Sequence, residues 1–312
     1  IMGSKGEAVD GVLLLDKPES MSSNWALQLS RRLLNAQKAG HTGTLDPMAT
    51  GLLPLAFGNA TKFSADLLKA DKSYIARMKF GERTDTLDKT GVVTQTSDVR
   101  PTMGEIEALI PEFTGVISQR PPMYSAIKRD GKNLYELARR GIEVTREARQ
   151  VCVKRLALIS YENGELTFEA DVSKGTYIRV LADDLATRLG TCAHLTALRR
   201  TRVGDLSIDD AVPFSELDDK TKSIEQRRQL LKGADFLLQS LPALNLTELL
   251  ARRLENGQRL AIRQDLRGQA RAYGPGNRLL GVVRVDEHGV VHPVRLITFL
   301  GNTENNSGKK TL

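Results

Sequence analysis

The sequence predicts an α+β protein built in two unequal parts. Three observations carry this expectation. Strand-like and helix-like stretches are interspersed without the regular β-α-β spacing of a doubly wound sheet. Leu166, Phe168, Ala170 and Val172 alternate with polar residues and run through Ser173-Lys174-Gly175-Thr176 into a helical pattern. After Pro242, short strands return around Gly274-Pro275-Gly276 and Glu287-His288-Gly289, which marks a small β-rich second domain.

Residues 1–9 form a polar tail with no basic and apolar tandem of a secretory signal. Val12–Leu15 is an apolar run closed by Asp16-Lys17-Pro18, a strand followed by a turn. Ser22, Ser23 and Asn24 are N-cap candidates for a helix carrying Leu27, Leu33 and Leu34. Residues 40–51, GHTGTLDPMATG, hold three glycines and a proline and form a loop. Strands follow at Leu52–Phe57 and Ser73–Phe80, with a helix between them around Lys62–Leu68. Thr102-x-x-Glu105 is a capping box that opens a short helix. Ile178, Leu181, Leu185 and Leu189 share one helix face, and Gly190 stops it. Residues 215–243 are charged and helical in pattern, a connector. Strands at Gly281–Val285 and Val290–Val294 belong to the second domain, and the polar residues 301–312 are expected to be disordered.

The chain has 312 residues, 40% hydrophobic and 27% charged, which excludes wholesale disorder and a fibrous repeat. No apolar run approaches the roughly 20 residues of a membrane span. Two cysteines are too few for a disulfide scaffold, so a reducing cytoplasm is the expected compartment. The net charge of +7 favours a polyanionic partner. Residues 128–155 carry nine basic against four acidic side chains, residues 244–312 carry 11 against six, and Arg199, Arg200 and Arg202 make a third cluster. One such run is as readily a solvated surface, but three together favour nucleic acid.

No metal or cofactor is expected. Cys192-Ala193-His194 is the single close Cys/His pair, and no phosphate-cradling or dinucleotide fingerprint is present. What remains is the loop from His41 to Pro47. An acid before a proline is commonly a turn former, because the carboxylate bonds its own backbone. Here, however, a titratable His and a carboxylate lie between two apolar elements. Tyr177 and Arg179 stand at alternate positions, so both can face one way from an extended segment. An arginine facing a carboxylate holds it ionised, and an aromatic face is a platform for a base.

At these residues the chain resembles the TruB-type tRNA pseudouridine synthases. G-H-T-G-T-L-D-P-x-A-T-G at 40–51 is similar to their active-site motif. L-D-K-P with S-S-N (15–24), A-T-K-F (60–63), G-x-x-T-D-T-x-D (81–88), P-P-M-Y-S-A-I-K (121–128), S-K-G-T-Y-I-R (173–179) and L-x-A-L-R-R (195–200) also agree, in order. The resemblance implies a bent, largely antiparallel mixed sheet over residues 10–243 and a C-terminal PUA-like RNA-binding barrel over 244–300. It implies isomerisation of uridine 55 in the T-loop of tRNA, with residues 128–155 as an insertion covering the T-arm. The enzyme would be a monomer needing no protein partner and no membrane.

By the same resemblance Asp46 is the catalytic carboxylate and Arg179 its charge partner. Tyr74 stacks on the uracil, although a strand aromatic of this kind otherwise reads as core. Tyr177 and Leu198 line the uracil pocket. His41 stands in for the stacking lost when the target base is extruded, at a cost of a few kcal/mol. Asp88 falls on a family-typical acid without an assigned role. Two rivals share these residues or surfaces: a dyskerin-type enzyme that needs a guide RNA, and a tRNA-folding chaperone that does not require Asp46.

Overall fold

The computed structural model describes residues 6–297. The expectations stated for residues 1–5 and 298–312 fall outside these described residues. Residues 6–9 are seated against the body rather than forming a free tail: Glu7 bridges to Ala36 and Val9 is buried.

The larger part is one ten-stranded sheet. Its strands are β1 (Gly11–Lys17), β2 (Ala39–His41), β3 (Thr50–Phe57) and β4 (Lys72–Phe80), then β7 (Gly115–Gln119) after the ribbon β5 (Glu82–Thr84) and β6 (Val93–Thr96). A second ribbon, β8 (Lys128–Arg129) and β9 (Lys132–Asn133), precedes β10 (Arg149–Glu162), β11 (Glu165–Val172), β12 (Ala193–Val203), β13 (Leu206–Ser207) and β14 (Val212–Pro213). The sheet order is β14-β1-β3-β12-β4-β11-β10-β7, with β2 on β3 and β13 on β12. Only β1–β14 and β3–β12 pair in parallel, so the sheet is mixed and largely antiparallel. Register shifts interrupt β10 and β12, and such bulges bend the strands that carry them.

The apolar run of β1 and β3 reflects burial on both faces. Leu13, Leu15, Leu53, Leu55 and Phe57 face the main core, while Val12, Leu14, Leu52 and Ala56 face a second cluster with Val203 and Leu206. On β4 the residues Ala76, Met78 and Phe80 point into the main core, and Tyr74 continues that row to its edge. Helices α1 (Ser23–Leu33) and α4 (Ile178–Arg188) cover this face. Ser22 caps α1 by accepting from the Trp25 N–H, and α2 (Met103–Leu109) opens on the complete capping box of Thr102 and Glu105.

Two helical expectations are corrected. Residues 58–68 form short 3-10 turns rather than an α-helix, starting from Gly58 at φ +57. The 215–243 connector breaks into α5 (Phe214–Leu217), α6 (Ile224–Arg228) and a 3-10 turn at Ala234–Leu238, with α3 (Leu134–Arg139) lying earlier in the basic insertion. None of the described helices is long and apolar enough to cross a membrane.

The smaller sheet comprises β15 (Ala243–Asn245), β16 (Leu260–Ala261), β17 (Gly268–Gly274), β18 (Arg278–Val285) and β19 (Val290–Leu296), in the order β15-β17-β18-β19-β16, with α7 (Glu248–Glu255) beside it. It curls into a half-barrel of the PUA-like kind. Its own core holds Leu254, Ala272, Leu280 and Val283. Val282 packs on Phe63 and Leu238, and Tyr273 donates to Asp235 at 2.7 Å, which ties the two parts together.

Candidate active site

Residues 42–49 join β2 to β3 and project Asp46 from a loop that is fixed at many points. Ser23 Oγ accepts the Leu45 N–H at 2.8 Å and donates to the Leu45 carbonyl at 3.0 Å. Lys17, with no exposed surface, donates to the carbonyls of Pro18 at 2.8 Å, Met21 at 2.7 Å and Pro47 at 3.4 Å. Burial lowers its ammonium pKa to about 8, and the charge of Asp46 opposes that shift. Leu45, Met48 and Ala49 anchor the loop in the core. A loop this constrained holds its carboxylate in one place.

Asp46 meets Arg179 at the start of α4. Arg179 Nη2 donates to Oδ1 at 3.4 Å, and Nε stands 2.8 Å from Oδ2 as an ion-pair contact without hydrogen-bond alignment. The guanidinium is otherwise held by carbonyls, Nη1 donating to Thr86 at 2.8 Å and Nη2 to Tyr124 at 2.7 Å. Arg179 is 3% exposed, whereas the Asp46 side chain keeps 34% of its surface at the cleft. Burial among protein atoms pushes the Asp46 pKa up; Arg179 and Lys17 oppose this and Asp88 adds to it. The net direction is upward, so Arg179 moderates the cost of the charge rather than abolishing it.

The cleft over this pair is lined by Thr44, Leu45, Asp46, Tyr74, Thr176, Tyr177, Ile178, Arg179 and Leu198. Five of the six residues singled out in the sequence therefore converge. Tyr74 comes from the end of the inner row of β4, Leu198 from β12, and Tyr177 from the extended residue that caps α4. Tyr177 and Arg179 share the cleft across the turn into the helix, not along an extended segment. His41 is the exception. It ends β2, pairs with Leu55 and lies outside the cleft lining, with Nδ1 buried and unpartnered. Burial and the nearby charge of Arg200 lower its pKa.

One supporting residue, Gln119, has no local sequence signal, and another, Asp88, is the family-typical acid to which the sequence assigned no role. Gln119, 1% exposed, forms a two-way amide clasp on the main chain of Tyr177, donating to its carbonyl at 3.2 Å and accepting its N–H at 3.0 Å. Asp88 Oδ1 accepts from Thr86 Oγ1 at 2.8 Å, Thr90 Oγ1 at 2.6 Å and the Thr90 N–H at 2.9 Å. It thereby shapes the turn whose Thr86 carbonyl holds Arg179.

The basic clusters divide. Most basic side chains of 128–155 are exposed, as are Arg252, Arg253, Arg259, Arg263, Arg267 and Arg284 in the smaller part. The expected patch at 199–202 is corrected. Arg199 forks onto Asp16 at 3.0 and 2.8 Å and Arg200 is buried, so only Arg202 points freely to solvent. Among the described residues, no three His, Cys, Asp or Glu side chains gather into a group that could hold a metal.

Comparison with known proteins gives a consistent picture. Residues 31–178 match the TruB family pseudouridylate synthase N-terminal domain, 179–239 the tRNA pseudouridylate synthase B C-terminal domain, and 242–297 the C-terminal domain of pseudouridine synthase II TruB. The chain is 51% identical over 297 residues to tRNA pseudouridine synthase B of Burkholderia mallei (strain NCTC 10247), covering 93% of this chain and 97% of that protein. It is 50% identical over 296 residues to the protein of the same name from Aromatoleum aromaticum, covering 95% of each. In fold it is similar to a chain of an H/ACA RNP bound to a substrate RNA containing 2′-deoxyuridine. That match has a TM-score of 0.68 and 23% identity, over 92% of this chain and 85% of that one. A chain of a Cbf5-Nop10-Gar1 complex follows, at TM-score 0.65 and 24% identity over the same shares.

Proposed function

The chain belongs to the TruB family of pseudouridylate synthases, and we propose that it isomerises uridine 55 of the tRNA T-loop through the carboxylate of Asp46. It is a tRNA pseudouridine synthase. The observation that carries the residue assignment is the Asp46–Arg179 pair at the foot of a cleft walled by Tyr74, Tyr177 and Leu198.

A uridine in a folded loop must leave its stack before any side chain can reach C1′. Tyr74, Tyr177 and Leu198 offer the extruded base an apolar and aromatic slot. The N1–C1′ bond then breaks, the uracil turns while held, and C5 joins C1′. The C5 proton is lost and N1 ends protonated, so no group is gained or lost. Asp46 serves either by attacking the sugar or by taking a proton from it, and both roles need the ionised carboxylate. Arg179 keeps that form populated in a site whose burial works against it. His41, beside the catalytic loop, fills the space the base vacates.

The exposed basic side chains of 128–155 and of 244–297 take the flanking phosphates, and the chain works as a cytoplasmic monomer without a partner protein. The 50–51% identity to tRNA pseudouridine synthase B proteins favours this reading over a guide-dependent enzyme or a chaperone. Position-specific pseudouridine mapping on an unmodified tRNA transcript, with no guide RNA or second protein, tests it. A single modification in the T-loop is expected. No turnover until a guide RNA is added would overturn it.

A further inference from the structure

Arg200 stands in the basic run that reads as an RNA-facing patch, yet only 1% of its surface is exposed. A guanidinium withdrawn from water is costly unless its charge and its N–H groups are compensated. Among the described residues no carboxylate lies in ion-pair contact with it, and the nearby Lys17 and Lys72 carry charge of its own sign. Its compensation comes from two main-chain carbonyls. Nη2 donates to Gly43 at 2.7 Å and Nε to Leu52 at 2.9 Å.

Those carbonyls lie on either side of Asp46. The pairing of β3 reinforces the point: β12 reaches only Thr50 and Gly51, and β2 only Leu55 to Phe57. Residues 52–54 are left without a strand on that side, which is where Pro54, lacking an N–H, is tolerated. The Arg200 guanidinium fills this gap. Two motif glycines fit around it. Gly43, at φ +72, places a would-be Cβ 3.4 Å from Arg200 Nη1, and at Gly51, φ +107, a Cβ would collide with the Arg200 carbonyl.

We propose that Arg200 is a positioning residue whose guanidinium clamps the segment 43–52, the catalytic loop and the start of β3, at both ends and so fixes the Asp46 carboxylate against Arg179. This rests on Asp46 being the reacting group. The alternative, that Arg200 contacts RNA, requires a side chain that reaches solvent.

The test is single-turnover kinetics and tRNA affinity for Arg200→Met and Arg200→Lys, with Asp46→Asn alongside. Lysine keeps the charge but carries it on one nitrogen, so it cannot place donors at both the Nε and the Nη2 positions that Leu52 and Gly43 accept from. With the loop loosened, Arg200→Met should lose about a hundredfold in rate constant, and Arg200→Lys roughly tenfold, while tRNA affinity stays within about twofold. Should the Met variant not fold, the Lys variant decides alone. Parallel losses of affinity and rate would make Arg200 an RNA contact, and an unchanged rate would make it mere packing; either overturns the clamp. An active Asp46→Asn enzyme would instead remove the reading of Asp46 on which the clamp depends.

Discussion

Replacing Arg179 by Met removes the charge that opposes burial at Asp46 while keeping an unbranched side chain of similar length. Burial is already the largest influence on the Asp46 carboxyl and raises its pKa; Arg179 is the first of the groups holding it down. Without the guanidinium the pKa rises further, so less of the carboxylate is ionised at a given pH. On the proposed role of Asp46 the reaction needs the ionised form, so the acid limb of the rate profile should move toward higher pH. Well above both pKa values Asp46 is ionised in either protein, and the remaining difference is orientation. A carboxylate released from its 2.8 Å partner should cost about a hundredfold in rate on that plateau. Stability falls too, because the Thr86 and Tyr124 carbonyls lose a charged donor; the combined loss is about 2–4 kcal/mol. A carboxyl with raised pKa stabilises the fold at low pH and loses that contribution as pH rises, so the deficit of the variant should narrow on acidification. The assay is a single-turnover pH profile on a tRNA transcript, paired with urea unfolding at several pH values. An acid limb that stays in place, or plateau rates that coincide, would rule out Arg179 as the charge partner that tunes and orients Asp46.

Gly51→Ala should destabilise the fold by about 2–4 kcal/mol, since its φ of +107 and the collision with the Arg200 carbonyl leave no room for a Cβ; a urea midpoint equal to wild type would count against it. Arg267 and Arg284 line one open groove of the smaller sheet, and changing both to Ala should weaken tRNA binding and reduce the salt slope by about one to two. Unchanged affinity and slope would show that this face is not an RNA anchor. The Tm of Asp46→Asn relative to wild type should rise with pH, because burial raises the carboxyl's pKa and its ionisation costs wild type stability that the amide does not lose. A relative Tm that falls as pH rises would contradict the direction of that shift.

Much of this architecture is legible in the sequence where one period runs unbroken. The alternation of 165–172 matches its burial residue by residue, and the caps at Ser22 and Thr102 open the helices they signal. The 14-residue strand β10 escapes because it begins inside a charged stretch and carries two register shifts, each of which resets the alternation. Asp46, Arg179, Tyr177 and Leu198 stand out by family motif and Tyr74 by the wider resemblance, and all five meet in one cleft. What holds them there is not legible. Gln119 contacts Tyr177 across 58 positions, and Arg200 looks like surface charge until its burial among loop carbonyls is seen. Long-range hydrogen bonds to main-chain atoms leave no local pattern.

The role proposed for Asp46 is chemistry rather than binding. Asp46→Asn keeps the size of the side chain and removes its charge, while tRNA affinity rests on dispersed phosphate contacts and loop shape. The direct measurement is position-specific pseudouridine formation at the T-loop by Asp46→Asn under single-turnover conditions, at protein concentrations that saturate tRNA. tRNA binding is expected within about twofold of wild type, with turnover below detection. Pseudouridine appearing at near the wild-type rate, or binding and turnover lost in equal measure, would contradict it.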